Sequence, residues 1–178
     1  DGTDISEAKK VAGYSAYGVL YNWYAATKGG TVSGSEKLQG VCPSGWHLPD
    51  DNDWAELWTY LVNNEYGYGG SGNRIAKAMA SVNNWKGSNI SGTPGYAPEE
   101  NNSSEFNGLP GGYRCNDALA ITGEGTFASW WTPAAYGTDN AYHWGFLYNS
   151  SVLIKYYSNK GRGYFVRCVK NQDTSYNP

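Results

Sequence analysis

The sequence predicts an α+β fold in a single domain over residues 1–178, with a loop-rich chain that favours strands over helices. Three observations support this prediction. One segment in the first half has a capped, amphipathic helix pattern, and apolar strand patterns concentrate in the last third. The composition is rich in Gly and Tyr, and only 16% of residues are charged. Such a composition is more typical of a protein outside the cytosol than of a helical bundle.

The clearest helix pattern lies between Leu48 and Glu65. Asp50 is predicted as the N-cap, and Asp51 and Asp53 place negative charge at the positive end of the helix dipole. We interpret these carboxylates as capping groups rather than a calcium site, because their spacing lacks the rest of an EF-type loop. The apolar stripe follows the i, i+3, i+4, i+7 spacing and consists of Trp54, Leu57, Trp58 and Leu61.

The other segments of the first two thirds carry weaker patterns. Residues 1–13 are polar and are predicted to be loosely ordered. The aromatic, apolar stretch 14–26 predicts one or two strands near the core. A second, shorter helix is predicted over 73–81, with Ile75, Ala78, Met79 and Val82 on one face. The Gly, Asn, Ser and Pro content of 83–105 predicts a long loop, which is either functional or loose.

The last third predicts antiparallel strands over 142–148, 152–158 and 164–169, separated by polar turns. Eleven of the 36 residues between Trp130 and Phe165 are aromatic. The middle strand carries large groups on both faces, with Tyr156 on one and Tyr157 on the other. A core on one side explains only half of these groups, so the surplus predicts a recognition surface. A tightly packed β core is the alternative.

Charge and cysteine content exclude several classes of function. The net charge of −3 disfavours nucleic acid as a partner, and no apolar stretch is long enough for membrane insertion. Three cysteines suggest one disulfide and one free thiol, with three possible pairings. We favour Cys42 with Cys168, which ties an early loop to the final strand, and leaves Cys115 free. Without a CxxC or Cys/His pattern, we expect no metal or cofactor.

Catalysis is also disfavoured by the sequence. No Ser/His/Asp grouping stands out among two distant histidines. Cys115 has no histidine near it in the sequence to lower the pKa of its thiol. Glu99, Glu100 and Glu105 lie in a flexible-looking loop that fixes no separation between paired carboxylates. We therefore expect a protein that is not an enzyme.

Several phrases occur together in a specific order. They are GVLYNWYAA at 18–26, GVCPSGWHLP at 40–49, Asp53-Trp54, FNGLPGGYR at 106–114, Trp130-Trp131 and VRCVK at 166–170. Together they resemble the Fibrobacter succinogenes major paralogous domain. The resemblance implies a C-type-lectin-like fold, with two helices packed around a small irregular antiparallel sheet. It further implies a secreted or cell-surface protein of Bacteroidetes-type bacteria, and it brings no general activity.

The chain departs from the family pattern mainly within 132–165. Some members of the family resemble the variable proteins of diversity-generating retroelements, in which template adenines are mutated so that Asn codons change. Five residues here can arise from an Asn codon, namely His143, Leu153, Ile154, Tyr156 and Tyr157. Trp144 can arise from an Arg codon, whereas Lys155 needs another origin. Ordinary divergence of a surface module is the alternative of equal weight.

The resulting expectation is a non-catalytic domain that binds an unknown protein or glycan ligand through an exposed, aromatic-rich C-terminal face. A retroelement origin would make this face hypervariable. A pilus-tip or surface adhesion module is the close alternative. A calcium-dependent lectin is less favoured, because Glu99-Glu100-Asn101 has no matching Trp-Asn-Asp downstream. The expected ligand-binding residues are Ala134, Tyr136, His143, Trp144, Phe146, Leu153, Ile154, Lys155, Tyr156, Tyr157 and Arg162.

Overall fold

The computed structural model describes residues 14–32, 36–70, 72–116 and 120–172, so the prediction for 1–13 lies outside the described residues. It confirms a mixed α+β architecture. The helices are α1 (Tyr14–Tyr17), α2 (Trp23–Thr27), α3 (Asp51–Asn63) and α4 (Ala76–Met79). The strands are β1 (Trp46–His47), β2 (Gly111–Arg114), β3 (Ile121–Glu124), β4 (Phe127–Tyr136), β5 (Asn140–Leu147), β6 (Ile154–Asn159) and β7 (Val169–Lys170).

These strands form three small antiparallel sheets among the described residues. β1 pairs with β7, β2 pairs with β3, and β4, β5 and β6 form a three-stranded sheet in that order. β5 and β6 correspond to the predicted hairpin strands. The predicted strand over 164–169 is wrong for most of its length. Tyr164 and Phe165 instead form isolated bridges with Tyr21 and Trp130, because the chain passes between two partners there.

The helix α3 has the start that the sequence predicts. The Asp50 carboxylate accepts hydrogen bonds from the backbone N–H groups of Asn52 and Asp53, at 2.8 and 3.1 Å. The Asp53 carboxylate in turn accepts one from the Asp50 N–H at 2.8 Å, which completes a capping box. Trp54 and Leu61 are buried on the inner face of the helix. Trp58, which the sequence places in the same stripe, is 36% exposed, so that part of the prediction is wrong. The helix is therefore fixed by its cap and by the burial of Trp54 and Leu61, with Leu57 half-buried beside them.

The second predicted helix is shorter than expected. α4 spans only four residues, because Ala80 is extended and forms a parallel bridge with Gly108. Ile75, Ala78 and Met79 are buried as predicted. Val82 lies beyond the helix and is 41% exposed, so its place on the buried face was wrong.

The strand prediction for 14–26 is also wrong, because this segment forms α1 and α2. The Asn22 side chain accepts a hydrogen bond from the Ala25 N–H at 2.8 Å and caps α2. This turn buries Trp23 and Ala26 on one helix face. The Trp23 indole N–H then donates to the Thr132 carbonyl at 3.0 Å and joins α2 to the sheet.

Both faces of the β4–β6 sheet are covered by apolar clusters. The cluster on the α3 side includes Trp54, Leu61, Ile75, Met79, Trp85, Trp130, Phe146, Leu153 and Phe165. The cluster on the opposite side includes Trp23, Ala26, Phe127, Trp131, Ala141 and Tyr164. Much of the aromatic content of the last third is therefore core.

A disulfide joins Cys42 to Cys168, the pairing that the sequence favours, while Cys115 is not in a disulfide. The bridge closes a separation of 126 residues. In the chain-entropy treatment, closing a loop of this length stabilises the fold by about 5 kcal/mol.

The long loop over 83–105 is held by a buried lysine. The Lys77 ammonium donates to the carbonyl oxygens of Tyr96 and Ala97, at 2.5 and 2.7 Å, and to the Asn101 side-chain oxygen at 3.0 Å. The Asn101 amide nitrogen donates to the backbone oxygens of Ser81 and Pro94, both at 2.9 Å. Burial lowers the pKa of Lys77, and the carboxylates of Glu100 and Glu99 oppose this shift. The loop is thus ordered by hydrogen bonds to the buried side chains of Lys77 and Asn101.

Replacing this ammonium tests its role in the loop. We expect Lys77→Met to lower the free energy of unfolding by about 3 kcal/mol, because three oxygen acceptors lose their donor. Urea unfolding followed by tryptophan fluorescence measures the change. Lys86→Met is the matched control, because Lys86 is exposed and its ammonium lies over the Tyr148 ring, 5.2 Å from the centroid, so its loss is expected to cost at most about 1 kcal/mol. Equal stability of the two variants would contradict the assignment.

Candidate functional site

The structure distributes the eleven predicted binding residues over three environments. His143, Phe146 and Leu153 are buried, and their predicted place on an exposed face is wrong. Ala134, Trp144, Ile154, Lys155, Tyr156 and Arg162 are half-buried. Tyr136 and Tyr157 are exposed, at 45% and 58%. Phe146 and Leu153 belong to the apolar cluster on the α3 side, and His143 packs on Trp131 and Tyr164 on the opposite side.

Strand pairing explains why these residues do not form one surface. Trp130, Trp144 and Lys155 lie side by side across β4, β5 and β6. The next row contains Trp131, His143 and Tyr156. Neighbouring rows point to opposite faces of a sheet, so Lys155 and Tyr156 face in opposite directions. The predicted set is therefore divided between the α3 side and the opposite side.

Three tyrosines come together near the exposed end of the sheet, on its α3 side. The rings of Tyr136 and Tyr157 have centroids 4.4 Å apart, and those of Tyr136 and Tyr142 are 5.2 Å apart. Tyr142 and Tyr157 are direct cross-strand partners on β5 and β6. We call Tyr136, Tyr142, Tyr157 and Lys155 the tyrosine patch. Tyr142 was missed as a site residue, although it alternates in phase with Trp144 along its strand.

A lysine and an aspartate fix the inner border of the tyrosine patch. The Lys155 ammonium lies 3.8 Å from the centroid of the Tyr142 ring and donates to Asp51 Oδ2 at 2.6 Å. The Trp144 indole N–H donates to Asp51 Oδ1 at 3.2 Å. Both oxygens of this carboxylate are therefore used to join the first turn of α3 to the sheet. Asp51 has a second role here that its position near a helix start did not reveal.

His143 belongs to a buried polar chain on the other side of the sheet. Its Nδ1 lies 2.6 Å from Ser129 Oγ, and its Nε2 lies 3.1 Å from Ser158 Oγ. Ser158 Oγ continues to the Tyr164 hydroxyl at 3.0 Å. Burial, with a smaller effect of the Arg162 charge, lowers the pKa of His143 to about 3. The imidazole is thus neutral at physiological pH and serves the core.

Arg162 and Ala134 lie away from the tyrosine patch in their contacts. The Arg162 guanidinium lies 5.4 Å from the centroid of the Tyr113 ring, and its hydrogen bond to Tyr164 raises the pKa of Arg162. It therefore supports the side of the sheet opposite α3. Ala134 lies in the irregular part of β4, where the pairing with β5 shifts between Trp131 and Ala135.

In the loop segment Glu99-Glu100-Asn101, the side chains of Glu100 and Asn101 are engaged in contacts within the protein. Among the described residues, no three His, Cys, Asp or Glu side chains come together as a metal-binding group. The Asn101 side chain is engaged with Lys77 and with two backbone oxygens, which disfavours it as a calcium ligand. Glu100 lies 3.9 Å from the Lys77 ammonium. In the same ranges, no helix has the length and apolar character needed to cross a membrane.

The family model of the Fibrobacter succinogenes major domain matches residues 1–170. The chain belongs to this family. Comparisons with curated proteins and with solved structures gave no match. The family description names no activity.

The family phrases that the sequence shares lie at tight points of the fold. In the phrase at 40–49, Gly40 has a φ of 53°, and a Cβ there would lie 2.3 Å from the Ala26 carbonyl oxygen. The same phrase supplies Cys42 to the disulfide and the two residues of β1. In the phrase at 106–114, a Cβ on Gly111 would lie 2.4 Å from the Phe165 ring. The glycines of both phrases are therefore required by packing.

The lowered pKa of His143 predicts a loss of stability in acid. The unfolded chain takes up a proton near pH 6.5, whereas the folded chain resists protonation down to about pH 3. Stability from the neutral ring is therefore complete above pH 6.5 and falls by about 1.4 kcal/mol per pH unit below it. We expect a loss of about 2 kcal/mol between pH 7 and pH 5, measured by urea unfolding.

The control is the His143→Gln variant, compared with the unmodified chain at each pH. All other titrating groups are common to the two proteins, so the difference between their pH profiles isolates His143. The profile of the variant should be flatter across pH 5 to 7. Parallel profiles would show that the imidazole is not held neutral.

Proposed function

We propose that this domain is a non-catalytic binding module with a C-type-lectin-like fold, and that the tyrosine patch contacts a protein or glycan ligand. The observation that carries the proposal is the grouping of three tyrosines, in which the Tyr136 ring centroid lies 4.4 Å from that of Tyr157 and 5.2 Å from that of Tyr142, with Tyr136 and Tyr157 exposed. The fold assignment is supported by the family membership and by the small, irregular antiparallel sheets.

The chemistry of the patch suits recognition. Tyrosine offers a broad apolar ring and a polar hydroxyl, and it has few rotamers to lose when a ligand binds. Lys155 adds a positive charge, and Asp51 holds that charge in place at 2.6 Å. Trp144 lies beneath the border and stacks on the buried Trp54, with centroids 6.0 Å apart. A surface whose border is held in this way is preorganised, and interface hot spots are found on surfaces of this kind.

The finer proposal is that a diversity-generating retroelement varies this surface. The structure restricts the positions at which such variation is tolerable. His143 and Leu153 are buried. A random replacement at either position would lower the free energy of unfolding by about 2–5 kcal/mol through lost packing and hydrogen bonding. Trp144 and Tyr157 lie on the patch side, where replacements change the contact surface. Ordinary divergence changes residues one at a time. It therefore does not require the buried positions to tolerate many replacements at once.

The nucleotide sequence tests this finer proposal directly. A retroelement origin requires a near-copy of the coding region for 130–170, differing at adenines, near a reverse transcriptase gene. Without such a copy, ordinary divergence of a secreted or cell-surface module is the remaining explanation. The disulfide between Cys42 and Cys168 supports that setting, because disulfides persist mainly in oxidising compartments.

Binding by the tyrosine patch is tested with arrays of bacterial and host surface proteins and of glycans. We expect the Tyr136→Ala/Tyr157→Ala variant to lose about 2 kcal/mol of binding free energy, roughly 30-fold in affinity, toward any ligand that the unmodified domain selects. The midpoint of urea unfolding should change little, because both rings are exposed. Isothermal titration calorimetry with the selected ligand measures the loss.

The matched control is Tyr24→Ala, an exposed tyrosine on α2 that lies outside the patch. This variant should bind as the unmodified domain does. Equal affinity of the patch variant and the control variant would rule out the patch as the binding surface.

A further inference from the structure

A groove separate from the tyrosine patch runs between α3 and the C-terminal segment 167–172. Its volume is about 920 Å³. Trp54, Leu57 and Phe106 supply an apolar base, and Glu56 and Tyr60 line it from the helix. None of the residues of the tyrosine patch lines it. The groove is therefore a surface separate from the tyrosine patch, and a ligand could bind to either one independently of the other.

The C-terminal segment meets the groove along a strand edge. All six consecutive residues from Arg167 to Gln172 line the groove. Val169 and Lys170 of this run form β7, and the residues on either side of them lie outside any strand. The groove is therefore bordered by β7 together with its flanking residues.

The pairing of β7 leaves that edge open. Among the residues that the structure describes, β7 has β1 as its single partner, in a two-stranded sheet. The Asn171 N–H donates to the Gly45 carbonyl at 2.8 Å, and Val169 is the cross-strand partner of His47. In an antiparallel pair the hydrogen-bonding residues alternate, so the intervening Lys170 directs its N–H and C=O away from β1. These backbone groups are available to a further strand.

The same segment carries positive charge. Among the described residues, neither Arg167 nor Lys170 forms an ion pair. Lys37, which also lines the groove, is different, because it is bound to both Asp50 and Asp53 at 2.9 Å. The Arg167 guanidinium lies 4.0 Å from the centroid of the Phe106 ring, directly beside the apolar base. The β7 side of the groove thus combines open backbone groups with two cations.

We propose that this groove binds an extended peptide segment of alternating acidic and apolar residues, which adds to β7 as a third strand. Backbone hydrogen bonds to Lys170 would hold the peptide in register. Its apolar side chains would contact Leu57 and Phe106, and its carboxylates would lie near Arg167 and Lys170. Strand addition of this type takes affinity from main-chain hydrogen bonds and specificity from alternate side chains.

The test uses a fluorescein-labelled, acetylated peptide of alternating Glu and Leu, with fluorescence anisotropy as the measurement. We expect saturable binding that weakens as salt is raised, because the attraction is partly between exposed charges. A peptide of the same sequence with N-methyl groups on alternate residues, placed to block the hydrogen bonds to β7, should not bind. A peptide of alternating Lys and Leu should bind at least about tenfold more weakly.

The protein variant for this test is Lys170→Glu, which reverses an exposed charge on β7. We expect it to weaken binding of the Glu/Leu peptide by about tenfold. Lys86→Glu is the matched control, an exposed lysine remote from the groove lining, and should leave the affinity unchanged. Tyr157→Ala should also leave it unchanged, so failure of this proposal is distinguishable from failure of the tyrosine patch.

Three outcomes would overturn the proposal. Equal binding of the N-methylated peptide would show that no strand is added. Binding that appears only after residues 173–178 are removed would assign the groove to the chain itself. A dimer seen by analytical ultracentrifugation, abolished by Lys170→Glu but not by Lys86→Glu, would assign it to a second copy.

Discussion

The contact on which the arrangement most depends is the packing of Trp54 from α3 against the sheet. Its ring centroid lies 5.9 Å from that of Trp130, 6.0 Å from that of Trp144 and 6.1 Å from that of Phe106. These three partners come from β4, β5 and the segment before β2, so one side chain joins the helix to three separate parts of the chain. Aromatic pairs of this kind contribute about 0.5–1.5 kcal/mol each beyond the area they bury.

The packing of Trp54 leaves one buried polar group without a partner. Trp54 Nε1 is buried and has no hydrogen-bond acceptor among the described residues. An unsatisfied buried donor costs about 1–3 kcal/mol. The ring contacts and the capping box at Asp50 offset this cost. The position of α3 then fixes both surfaces, because Asp51 borders the tyrosine patch and Leu57 lines the groove on the other side of the helix.

Local patterns in the sequence predicted what local chemistry controls. The start of α3 follows from carboxylates that contact neighbouring N–H groups, and the β5–β6 hairpin follows from alternation and a short turn. The segment 14–26 was misassigned because aromatic residues suit a strand or a packed turn equally well. Only the Asn22 cap and the burial of Trp23 distinguish the two. Burial of His143 likewise depends on covering both sheet faces, which alternation within one strand does not indicate. The groove is lined by Trp54 and by residues more than 110 positions later in the chain, so no local sequence pattern predicts it.

The buried Lys77 makes the conformation of the irregular segment 83–105 independent of a bound ion. Its ammonium occupies a position surrounded by three oxygen atoms, two from the backbone and one from Asn101. Some protein loops are ordered by a bound calcium ion, whose occupancy follows the concentration in the medium. Here the cation is covalently part of the chain. Because this cation cannot dissociate, we expect the conformation of 83–105 to be the same in the presence of a chelator as in a calcium-rich medium.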